Sequence, residues 1–162
     1  MWSKPQYRKL VRVSGYYDLL MTIGFATPWT FVWLHGWLGD MHASLGLSGQ
    51  LPVFEPMHML MANLMGSIVC VWAWLRIRHP HVRFGRYDAA GRVLFSSWQL
   101  YALMHGGSAL IWGILLMEVV WAILQLMPVT GRRQALCKTP AAALQRANPI
   151  RPVDERIELG HG

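Results

Sequence analysis

Charge is scarce in this chain. Of 162 residues only 14% are Asp, Glu, Lys or Arg, while 54% are hydrophobic. A soluble domain of this length carries charge at about one residue in four, so a polytopic membrane protein is the first expectation. Acidic residues are scarcer still: eight Asp and Glu stand against fifteen Lys and Arg, a net charge of +7. Such a surplus can mark a nucleic-acid surface. Here every Lys and Arg falls in one of three clusters outside the apolar stretches, the distribution of the positive-inside rule, and nucleic acid is not an expected partner. There are two cysteines, Cys70 in an apolar stretch and Cys137 in a basic tail, so neither a disulfide nor a thiol-redox pair is expected. The chain also lacks a Gly-rich phosphate loop, an HExxH motif and a nucleophile–base pair, which leaves no catalytic residue to nominate.

What is present is long apolar sequence. The clearest stretch runs from Ser108 to Met127, twenty residues whose one ionisable side chain is Glu118. At the helical rise it measures about 30 Å, the thickness of a bilayer's hydrocarbon core. Three further spans are predicted at about 16–38, 57–75 and 89–105. The first contains Pro28, which should kink it, and Trp29, Trp33 and Trp37, which share one face as a lipid-facing stripe. The second opens on Glu55-Pro56, and its Ala62, Gly66, Cys70 and Ala73 form a small-residue stripe that lets another helix approach closely. The third has a polar middle and ends at Gly106-Gly107, a turn too short for anything but an antiparallel helix pair.

The domain plan is a basic cytoplasmic arm at 1–13, a four-helix transmembrane domain at 14–129 and a basic cytoplasmic tail at 130–162, partly disordered, with a short helix capped by Thr139-Pro140. Lys4, Arg8, Lys9 and Arg12 look like the start of a signal peptide. The apolar run to Leu38 is too long for one, and an uncleaved signal anchor is expected. The arm, the connection from Arg76 to Arg92 and the tail hold all the basic residues, which places both termini in the cytoplasm. The fold class is thus all-α, an antiparallel four-helix transmembrane bundle. Arg76, Arg78, Arg83, Arg86, Arg132 and Arg133 are expected to meet anionic phospholipid of the bilayer or a membrane-protein partner, each adding about 1 kcal/mol toward anionic lipid.

Two levels of this bundle carry candidate chemistry. Glu118 sits near mid-span, level with Asn63, Ser67, Ser97, Gln99 and, one turn on, Tyr101. No Lys or Arg is expected at that depth, so the carboxyl is read either as a protonated packing group or as a proton relay, cation site or substrate anchor. Asp18, nearer the cytoplasmic boundary, is expected to pair with Arg12 or Arg92. At the outer level lie His35, His58 and His105, with Met57 and Met104 beside two of them. Imidazole with thioether suits copper, and two histidines on different helices can hold haem iron, so either cofactor is conceivable, against the plain expectation of none.

The segments LHGWLG (34–39), LPVFEPMHMLMANLMG (51–66) and GRYDAAGRVLFSSWQL (85–100), with the HGG turn and the late Glu118, give a layout that resembles small bacterial inner-membrane proteins of the DoxX-like kind over residues 14–128. The resemblance implies a four-helix membrane bundle and transfers no site residues. The function expected is an accessory or interaction subunit of a membrane system, or a homo-oligomer. The alternative is binding or transport of a proton, a metal ion or a quinone- or haem-like molecule through Glu118 and the outer histidines.

Overall fold

The computed structural model describes residues 1–130, and over them the chain is all-α apart from one minimal strand pair. In chain order these are strand β1 (Trp2–Ser3), helices α1 (Lys4–Thr22), α2 (Pro28–Ser44), α3 (Pro56–Arg78), α4 (Val82–Met104) and α5 (Ile111–Leu126), then β2 (Val129–Thr130). Arg132, Arg133, Cys137 and the expected tail helix lie outside the described residues.

Local chemistry accounts for the breaks. Ser3 and Gln6 form a reciprocal capping box at the start of α1. That helix therefore begins at Lys4, inside the basic arm, rather than at residue 16. The expected kink at Pro28 is a full break. A residue before proline is pushed out of the helical region, and Thr27 is extended at φ −134°, ψ 153°. A single 3-10 turn, Ile23–Phe25, leads into it, and Pro28 then opens α2 at a position where its missing N–H is no loss. Pro56 opens α3 in the same way behind Glu55. Helix α4 starts at Val82, capped by the His81 ring, not at 89. Gly106, at φ 87°, makes the turn into α5.

Two antiparallel pairs result, α1 with α3 and α4 with α5. The small-residue stripe of α3 does allow close approach: Gly66 packs on the backbone of Phe25, and Ala73 is fully buried beside Gly15. Contacts tie the chain together at both ends. At one end, α2 and the connection after it meet the α4–α5 turn: Ala109 N donates to Ser48 O (2.9 Å), and His42 Nδ1 lies 2.8 Å from Ser108 Oγ. At the other, the N-terminal segment and α4 cap the last carbonyls of α5, which would otherwise lack partners. Trp2 Nε1 donates to Leu124 O, Tyr7 Oη to Gln125 O and the Arg86 guanidinium to Leu126 O and Met127 O.

Among the described residues, α3 is the one helix both long and apolar enough to cross a membrane, and α5 is apolar but only 16 residues long.

Candidate functional site: a buried ion network

Five charged side chains meet where the two helix pairs join. Asp18 comes from α1, Arg76 from α3, Asp88 and Arg92 from α4 and Glu118 from α5. Arg76 is 0% exposed and Arg92 3%. The periodicity of α4 explains the positions of Asp88 and Arg92: Gly85, Asp88, Ala89 and Arg92 form its buried stripe, so two charges occupy places an apolar residue would normally fill.

Arg92 is the hub. Its Nε donates to Asp88 Oδ2 (3.2 Å), its Nη1 to Glu118 Oε2 (2.8 Å) and its Nη2 to both oxygens of Asp18 (2.7 Å each). Arg76 bridges Asp18 and Asp88 with its two terminal nitrogens and reaches Ser14 Oγ at 3.1 Å. Asp88 is further held by Trp72 Nε1 (3.1 Å) on one oxygen and Gln125 Nε2 (2.7 Å) on the other. Ser14 donates its own proton to Val11 O, leaving its oxygen free to accept from both Arg76 and Gln125. Three carboxylates thus share two guanidiniums. A buried charge is tolerable only when so paired.

This arrangement corrects two expectations. Glu118 has a basic partner: Arg92, counted from sequence with the basic connection, lies on the buried face of α4, and its guanidinium reaches Glu118. Glu118 is accordingly level with Asp18 rather than with the neutral polar set. Arg76 is not a lipid contact, since it is wholly enclosed. The expected pairing of Asp18 is met by Arg92. Asp88, Ser14, Trp72 and Gln125 were not singled out from sequence, although the Asp88–Arg92 spacing of four is a signal for an ion pair on one helix face.

The other nominated residues lie elsewhere. Asn63 Oδ1 and Gln99 Oε1 are enclosed without a hydrogen-bond partner among the described residues, Ser67 Oγ donates to Ala26 O (3.4 Å) and Ser97 Oγ to Val93 O (2.9 Å). Tyr101 is exposed and stacks on His105, whose Nδ1 lies 2.8 Å from Tyr101 O. His35 is engaged by Pro52 O at 3.0 Å and packs against the rings of Phe31 and Phe54, while His58, Met57 and Met104 are exposed. Among the described residues no group of three or more His, Cys, Asp or Glu side chains is placed to hold a metal ion. Arg78 and Arg83 are exposed and Arg86 is half-buried against α5.

Tyr7, outside the apolar segments, is fully enclosed. Burial pushes its phenol above the ordinary value of 10.0, opposed by Arg86 and aided by the charge of Asp88. A group that the fold keeps protonated stabilises fully below its ordinary pKa and loses that contribution as pH rises through the raised one. Thermal melts should therefore fall more steeply above pH 10 for the native chain than for Tyr7→Phe. At neutral pH the same substitution is expected to lower stability by about 1–3 kcal/mol, because Gln125 O loses its donor.

Comparison of the sequence with family models, with curated proteins and with solved structures gives no match, so the DoxX-like layout receives no support from relatives.

Proposed function

We propose that this chain is a small integral protein of a bacterial inner membrane that serves as an accessory or interaction subunit of a larger membrane system. It crosses the bilayer four times, with both termini in the cytoplasm. One observation carries the proposal. Large apolar side chains face outward along every long helix, among them Trp29, Ile68, Trp98 and Leu116, while the charged residues of the network face inward. Water would penalise so extensive an apolar surface, and lipid would not. Helix α3, at 23 residues, extends about 34 Å, enough to span the hydrocarbon core. Helices α1 and α2 together make one crossing, broken at Pro28. The three Lys/Arg clusters orient the chain, and exposed Arg78 and Arg83 fit anionic phospholipid at the cytoplasmic face.

Affinity isolation from cells in mild detergent tests this directly. The protein should remain in the membrane fraction after an alkaline wash and should bring down a membrane protein in fixed stoichiometry. Release by the wash overturns the membrane assignment; recovery of the chain alone overturns the subunit role. The second reading is binding or transport of a small ligand, and the uneven charge of the buried network favours its proton form.

A further inference from the structure

We infer that Glu118 is a proton-binding site: the network takes up one exchangeable proton, and it resides on Glu118 Oε1. The charge ledger requires an acceptor for it. Asp18, Asp88 and Glu118 are matched by Arg76 and Arg92 alone, which leaves one negative charge uncompensated when all five are ionised. An uncompensated buried charge is costly, and taking up a proton removes it.

The hydrogen bonds decide which carboxylate accepts the proton. Asp88 receives Trp72 on Oδ1 and Arg76, Arg92 and Gln125 on Oδ2, so neither oxygen is free of donors. Both oxygens of Asp18 are likewise occupied, by Arg92 on Oδ1 and by Arg76 and Arg92 on Oδ2. Glu118 receives a single donor, Arg92 Nη1, on Oε2. Its Oε1 accepts no hydrogen bond among the described residues, and the side chain keeps 11% of its surface exposed. A proton on Oε1 therefore breaks nothing: Oε2 becomes the carbonyl oxygen of a carboxylic acid and still accepts from Arg92. The groups facing Glu118 are Asp18 and Tyr17 from α1, Arg92 and Asp88 from α4, and beyond them Arg76 from α3. Two enclosed atoms in the same cluster, Arg76 Nε and Gln125 Oε1, have no partner among the described residues, so a donor and an acceptor remain there for a small polar occupant such as water. With the proton gone, Glu118 competes with Asp18 and Asp88 for Arg92, and that couples proton release to the junction of the two helix pairs.

The test uses the full-length chain purified in detergent micelles, so its outcome does not depend on any partner or on orientation in a membrane. Thermal melts are compared for Glu118→Gln, Asp18→Asn and Asp88→Asn, and infrared difference spectra are recorded across a pH jump. Glutamine copies the protonated acid, so Glu118→Gln should shift the melting temperature by no more than about 3 °C, against a fall of about 10 °C for Asp88→Asn. The pH jump should show a carboxyl carbonyl band that persists in Asp18→Asn and vanishes in Glu118→Gln. A fall in Glu118→Gln as large as that in Asp88→Asn, or failure of that variant to fold, overturns the inference, because Glu118 would then be ionised like its neighbours. A band unchanged in Glu118→Gln overturns it as well.

Discussion

Replacing Arg92 by methionine is expected to destabilise the protein by about 3–5 kcal/mol, a drop of roughly 10 °C in thermal melts. The substitution keeps a long side chain but removes the one cation that touches all three carboxylates. Arg76 would then be the one guanidinium left for Asp18 and Asp88. The loss comes from leaving buried charge unpaired rather than from the intrinsic worth of an ion pair, and that distinction can be measured. Arg92→Met and Glu118→Gln alter the same Arg92–Glu118 hydrogen bond, so the double variant should be less impaired than the sum of the two single ones. A coupling of about 0.5–3 kcal/mol is the range for residues sharing one network. Additive effects would show that Arg92 and Glu118 do not interact energetically. Exposed Arg83 serves as control, with Arg83→Ala expected to stay within about 0.5 kcal/mol of the native chain.

Gly66→Ala is expected to produce the other large effect, a loss of about 1–3 kcal/mol from a single added methyl. A Cβ there would lie 2.6 Å from Phe25 C and 2.7 Å from Phe25 O, and these are backbone atoms that cannot rotate away. Helix α3 would have to move off the 3-10 turn before Pro28, at the end of the α1–α3 pair. Gly113→Ala makes the opposite case. Nothing lies within 4 Å of its added methyl, so relief of glycine's conformational entropy in mid-helix should raise stability by roughly 0.5–1 kcal/mol. Equal effects of opposite residues would be informative too: if Gly66→Ala also stabilises, the contact with Phe25 is not tight in solution.

The helices and their breaks were legible from local chemistry. Pro28 and Pro56 sit at the starts of α2 and α3, Gly106 at the turn into α5, and the stripe Ala62, Gly66, Cys70, Ala73 on the face that meets α1. These features act over a few residues, through backbone sterics and the spacing of small side chains, and need no knowledge of what lies opposite. Boundaries at the charged ends were less legible. A span predicted from apolar sequence omits the charged turns that extend its helix, so 89–105 was predicted where α4 runs Val82–Met104, and 57–75 where α3 continues to Arg78.

Which charges were buried could not be read that way. Ser14, Asp18, Trp72, Arg76, Asp88, Arg92, Glu118 and Gln125 span most of the described chain, and each taken alone is a single polar or aromatic residue in a helix. Periodicity placed Asp88 and Arg92 on one face of α4 without saying that the same point in space receives Arg76 from α3 and Glu118 from α5. The sequence by itself determined an all-α chain with apolar helices, basic ends and breaks at its prolines and paired glycines. Tertiary structure alone decided that two arginines turn inward and share three acids, because an ion pair's partner is set by where helices cross, and helix crossing is a property of packed surfaces rather than of any one segment.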